Sequence, residues 1–233
     1  MKYMIKPPLL RCLILSHICN FMVFMQSNAF YVWMPHIVDE LLRHGPKKPG
    51  QSMCRIMNDI HNNIDLVLDE CIPVQMEMRM YPIATVVGII TANIYAAIAF
   101  GMKRGWAKAK MYCVIMGLCA LFIVMSAFIP HYIVGIVLFV PGVCGIAANT
   151  VLAAAVVDVF PTSMRALAMC TLFMIGRLGA AVGSHTLAEG LEKNCIAIVL
   201  LITILTTVSG ILLFLWPDSA KVRATMVAQN FNY

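Results

Sequence analysis

Six apolar stretches, at about residues 9–33, 82–102, 111–130, 132–157, 164–188 and 195–216, set what this chain can become. About 20 apolar residues rising 1.5 Å each match a hydrocarbon core of about 30 Å, so each stretch is long enough for one helical crossing. Inside a bilayer every backbone N–H and C=O must find a partner within the protein, which leaves helices or closed barrels. The period-two alternation of barrel strands is absent, so helices are expected. With 61% hydrophobic and only 12% charged residues, the chain has too little polar surface to cover a soluble globule. The expectation is an all-α membrane protein: one domain over residues 1–233 with six transmembrane helices.

The net charge of +6 raises the question of nucleic acid, and the placement of the charges answers it. Lys2, Lys6, Arg11, Lys103, Arg104, Lys108, Lys110, Arg165, Lys221 and Arg223 share one side of a six-span arrangement, and the short loops of the other side carry only Lys193. The positive-inside rule then puts both termini and a tail at 217–233 in the cytoplasm, and a long acidic loop at 36–81 outside or in a lumen. No basic stripe interleaved with aromatics remains, and nucleic acid is not expected as a partner. A competing reading of the first span is a cleaved signal peptide, with Ser27-Asn28-Ala29 as the small-x-small site; apolar character continuing through Phe30, Val32 and Trp33 favours a full crossing.

Six of the nine cysteines (Cys12, Cys19, Cys113, Cys119, Cys144 and Cys170) lie in or near the spans and read as small packing residues. Cys54 and Cys71 share the outer loop, where oxidising conditions permit a disulfide, with Cys195 as the other candidate partner. No His/Cys spacing marks a metal site, and no cofactor is expected. The spans contain no carboxylate pair, metal motif or Ser/Lys dyad, so an enzyme is not the expectation.

Two spans carry small residues at helical spacing: Ala84, Gly88, Ala92 and Ala96 in the second, and Gly176, Ala180 and Ser184, flanked by Gly179 and Gly183, in the fifth. Such registers let membrane helices approach closely. Pro141-Gly142 interrupts the fourth span and predicts a hinge. Polar residues within the spans, namely Asn20, Gln26, Asn93 and Asn149, are candidates to line a substrate cavity, the plainer alternative being interhelical bonding. Arg177 falls near the bilayer midplane, where insertion scales charge about 2.5–3.5 kcal/mol. No carboxylate lies at its depth in the six-span reading, so its partner is a backbone carbonyl near Pro141, a substrate anion, or a residue of another polypeptide.

The turn Asp158-Val-Phe-Pro161-Thr-Ser-Met-Arg165 places a carboxylate at one helix C-terminus and a guanidinium in the next first turn, each opposing its own helix dipole. The two charges make sense as a cytoplasmic gate, answering each other or a partner on another helix; a solvated interhelical loop is the alternative. Pro161 stops the incoming helix, and Thr162 or Ser163 is placed to cap the outgoing one.

Three elements resemble the C-terminal six-helix half of a major facilitator superfamily transporter, in the branch of sugar porters, organic ion transporters and synaptic vesicle glycoprotein 2-like proteins. These are Asp158-x-Phe-Pro161-Thr-x-x-Arg165, Gly176-Arg177-Leu-Gly179-Ala180 and Trp216-Pro217-Asp218-Ser219. The loop Gly101-Met-Lys103-Arg104-Gly105-Trp106-Ala-Lys108 departs from that family's acidic-Arg-x-Gly-Arg-Lys turn. The resemblance implies transport of a small organic solute or ion by alternating access in a plasma or intracellular vesicle membrane, by a half that is truncated or pairs with an N-terminal half or a further copy. The alternative is a non-transporting scaffold or binding protein built on the same fold.

Overall fold

The computed structural model describes residues 9–45, 50–64, 80–101, 105–216 and 222, and among them every regular element is helical. Helix α1 (Leu9–His44) is followed by α2 (Met53–Ile64), α3 (Met80–Gly101), α4 (Gly105–Phe128) and α5 (Tyr132–Val143). A 3₁₀ turn at Cys144–Ile146 leads into α6 (Ala147–Val159), and α7 runs over Thr162–Leu212. Among the described residues, five helical stretches are long and apolar enough to cross a membrane: Leu9–Leu42, Lys110–Phe128, Tyr132–Val159, Thr162–Leu191 and Lys193–Leu215. The chain therefore has the helices of a multi-pass membrane protein. The sixth expected span corresponds to α3, a 22-residue apolar helix.

Three boundaries differ from those expected. α1 does not end near Trp33 but continues through Pro35 to His44, so Asp39 is a buried helical residue rather than a loop residue. The stretch taken as a 36–81 loop holds the rest of α1, all of α2 and the start of α3. In α2, Met53, Cys54, Ile56 and Met57 are buried while Arg55 and Asn58 face out, so this short amphipathic helix lies against the end of the bundle. The last two spans are continuous except at Asn194, whose extended backbone (φ −161°, ψ 93°) breaks α7 into two legs. Its side-chain oxygen accepts the Ala197 N–H at 3.2 Å, the N-cap bond that restarts the second leg.

Cys54 and Cys195 form a disulfide, which joins α2 to the first turn of that second leg. This corrects the pairing expected within one loop. Cys71 lies outside the described residues; α2 folds back onto the bundle and brings Cys54 to Cys195, 141 positions away.

Helix α1 is the axis of the fold and packs between the two legs of α7. Asn20 meets Gly176 and Met25 meets Gly183, so α1 runs parallel to the first leg. Cys19 meets Ser209 and Gln26 meets Thr206, so it runs antiparallel to the second. The core divides into two apolar clusters. One gathers Cys12, Cys19, Val23, Tyr112, Cys119, Ala148, Leu152 and Leu172; the other gathers Met25, Phe30, Ile37, Ile123, Phe139, Val143, Leu187 and Cys195. They meet between Val23 and Met25 on α1, between Cys119 and Ile123 on α4, and across the 3₁₀ turn.

Candidate functional site

Where the two clusters meet, the interior is polar. Asn20, Gln26 and Ser27 of α1, Asn149 of α6 and Thr206 and Ser209 of α7 are all buried. Asn20 Nδ2 donates to the Leu172 carbonyl at 2.7 Å, and Thr206 Oγ1 donates to Gln26 Oε1 at 2.8 Å. The Tyr112 hydroxyl reaches the Cys19 carbonyl at 3.3 Å and Ser209 Oγ at 3.4 Å. These bonds tie α1 to both legs of α7 and α4 to both helices, so the belt holds α1, α4 and α7 in register.

Among the described residues, four atoms of this belt find no hydrogen-bond partner: Asn20 Oδ1, Gln26 Nε2, Ser27 Oγ and Asn149 Oδ1. An unbonded buried polar group costs about 1–3 kcal/mol. Four together are a cost that an apolar core would not carry, and they are the groups a polar solute or water would engage. Two amide oxygens accept, one amide nitrogen donates and a hydroxyl does either, so none of the four brings a charge.

The broken helix serves the same belt. The expected hinge lies at Pro141-Gly142, and α5 instead stays helical through both residues and tightens into the 3₁₀ turn just after them. At Gly142 α4 comes close: a Cβ there would stand 2.5 Å from Ile123 Cγ1. Within the turn, a Cβ on Gly145 would lie 3.3 Å from Ser27 Oγ, so this irregular backbone faces the belt. Asn149, one helical turn beyond Gly145, is on the same face. Mid-helix 3₁₀ geometry is a recurrent mark of a hinge.

Two of the expected cavity residues stand elsewhere. Asn93 is exposed on α3, with Nδ2 bonded to the Ile89 carbonyl of its own helix at 2.7 Å. Arg177 is exposed on the first leg of α7, off the line of Gly176, Gly179 and Gly183 that meets α1. The carbonyl of Pro141 is taken by the Cys144 N–H, with Cys119 Sγ beside it, so the kink does not hold the arginine.

Ser27 and Thr206 were missed by sequence reasoning. Both are short hydroxyl residues that ordinarily bond their own helix, as Thr206 also does to Ile202. Only the crossing of α1 with α7 and the 3₁₀ turn brings them into the belt.

At the opposite end of the broken span, Asp158 forms an ion pair with Lys108 of α4. Arg165 does not answer Asp158; its Nε donates to the Phe160 carbonyl at 2.9 Å, at the end of α6. Lys108 in a first turn and Asp158 in a last turn each oppose their helix dipoles, and pairing offsets both misfits. Thr162 and Ser163 are the first residues of α7 and cap nothing, since Pro161 is the N-cap residue and makes no side-chain cap bond.

A second space lies toward the α2 end of the bundle. A cavity of about 440 Å³ is bordered by Tyr31, Met34 and Pro35 of α1, Thr85, Gly88 and Ala92 of α3, and Val140 and Cys144 beside the break. No cluster of His, Cys, Asp and Glu suited to a metal is found among the described residues. Comparison with known proteins returns no family model, no curated protein and no solved structure that matches the chain.

Proposed function

We propose that this chain is one half of an alternating-access transporter for a small, polar organic solute, working with an N-terminal half. The observation that carries the reading is the belt of unbonded buried polar atoms at the level of a broken helix. It supplies both a place for a solute and a joint about which the halves of the span can move. Asp158 and Lys108 would form the cytoplasmic latch, with Arg165 holding the end of α6. The disulfide between Cys54 and Cys195 supports the same orientation as the basic residues, because it belongs on the oxidising side of the membrane.

The resemblance of Asp158-x-Phe-Pro161-Thr-x-x-Arg165 to the major facilitator turn favours this reading, with the chain as a C-terminal half. The exposed first leg of α7, the least buried of the five spans, favours a second reading as a non-transporting scaffold or binding protein. Proteoliposome uptake separates them. With a six-helix N-terminal half supplied, a panel of radiolabelled neutral solutes is expected to yield at least one saturable uptake. Asn20→Leu and Asn149→Leu should each lower it at least tenfold while helical content and elution volume stay unchanged. Undiminished uptake in both variants removes the belt as the site, and absence of uptake for the whole panel leaves the scaffold reading.

A further inference from the structure

The first leg of α7 turns two faces in different directions. One, carrying Gly176, Gly179 and Gly183, lies directly on α1. The other leaves Cys170, Phe173, Met174, Arg177 and Ala181 exposed. In a helix that crosses a membrane, exposed means facing lipid, a water-filled space or another polypeptide. Apolar residues suit lipid or a packed partner, and an arginine does not suit lipid.

Arg177 stands midway along the span Thr162–Leu191, about 20 Å from each end at 1.5 Å per residue. The nearer face of a hydrocarbon core of about 30 Å is then some 15 Å away, more than an extended arginine reaches. Among the described residues no hydrogen bond or ion pair engages its guanidinium. The described carboxylates are not at its depth: Asp158 is in the last turn of α6, Glu189 is three turns further along α7, and Asp39, Glu40 and Asp59 lie in the outer half of α1 or in α2. The solute belt is also not its counterpart, since that belt lies on the α1 side.

We infer that this flank of α7 is the docking face for a transmembrane helix from outside this sequence that carries an aspartate or glutamate at the depth of Arg177. The carboxylate would neutralise the guanidinium and accept its paired N–H bonds. Ala181, with the partly exposed Ala180 beside it, leaves room for the partner's backbone to come close. The inference rests on reading the chain as part of a larger membrane assembly, and it does not require that the assembly transports anything.

The test uses the full chain in phosphatidylcholine vesicles at pH 7.5, labelled for energy transfer to single-span Leu/Ala peptides. Three peptides carry Asp, Asn or Leu at the centre, so the probe residue sits at mid-depth in either insertion direction. The Asp peptide is expected to associate at least tenfold more tightly than the Leu peptide, with Asn between them. Arg177→Gln should abolish the preference and Arg177→Lys should retain part of it, with helical content checked for both. Equal association of the three peptides, or a preference that survives in Arg177→Gln, overturns the inference. So does chain-to-chain energy transfer that excess Asp peptide fails to displace, which would make a second copy the occupant. A peptide preference without solute uptake would overturn the transport reading alone; uptake without a peptide preference would overturn this inference alone.

Discussion

The two small-residue registers of this chain look alike in sequence and do opposite things in the fold. Along α7, a Cβ on Gly179 would stand 2.3 Å from the Phe21 carbonyl oxygen, and one on Gly183 would stand 2.2 Å from that of Met25. Backbone lies on backbone there, and no side chain fits between. Along α3, a Cβ on Gly88 would meet only Cys144 Sγ, at 4.0 Å, and Gly88 and Ala92 border the 440 Å³ cavity instead. The side chain of Ala84 is outside the described set, and Ala96 is exposed. A small-xxx-small pattern permits close approach; whether a neighbour takes it up depends on what else holds that neighbour. α1 is held against α7 by the bond from Asn20 to Leu172, by that from Trp33 Nε1 to the Ser184 carbonyl at 3.3 Å, and by the Gln26–Thr206 bond. Between α3 and the break, Cys144 Sγ makes a weak approach to the Gly88 carbonyl at 3.9 Å.

The disulfide offers the largest effect with which to probe this contrast. It fastens α2 and the second leg of α7 at one end of the tightly packed side. Cys54→Ser should cost about 2–5 kcal/mol in reversible unfolding from bicelles. Hydrogen exchange should rise across residues 53–64 and 194–200 and stay unchanged in α3. Cys71→Ser should have no such effect; if it does, the pairing drawn here is wrong.

Glycine replacement comes next and addresses the contrast itself. Gly183→Leu forces a side chain into the Met25 backbone and should destabilise by about 1–3 kcal/mol, the usual range for overpacking. Gly88→Leu projects into open space and should change stability by less than about 0.5 kcal/mol. Equal losses in the two variants would break the comparison.

The smallest effect is expected at the ion pair between α4 and α6. The Lys108 and Asp158 side chains are 21% and 32% exposed, so Asp158→Asn should cost only about 0.2–1 kcal/mol. The reversed pair Lys108→Asp with Asp158→Lys should recover part of that loss, whereas exchanging Asp158 with Arg165 should not. Recovery by the second exchange instead of the first would restore the gate expected from the turn alone.

Much of the helical content was legible in the sequence, because apolar length is a one-dimensional property. The runs at 111–130, 132–157, 164–188 and 195–216 each fall on a helix with ends a few residues away. The break after Pro141-Gly142 was visible too, as the missing N–H of a proline is local chemistry. The end of the bundle that carries α2 was not legible. α2 has one apolar face on a polar helix, too short to register as a span, and its burial depends on the bundle beneath it. The candidate site was half visible: Asn20, Gln26 and Asn149 stand out as amides in apolar runs, while Ser27 and Thr206 do not.

What the residues alone determine is that this chain fills membrane-length helices, that the fourth is broken, and that Arg177 sits deep within the fifth. Hydrophobic length, a lost backbone donor and the position of one charge decide those without reference to any neighbour. Partnership was left to the tertiary structure. It chose Cys195 for Cys54, Lys108 for Asp158 and the Phe160 carbonyl for Arg165, and it turned Arg177 outward while Asn20 turned in. The reason is physical: a pairing depends on which helices cross and at what rotation, and that is set by the summed packing of α1 between the two legs of α7.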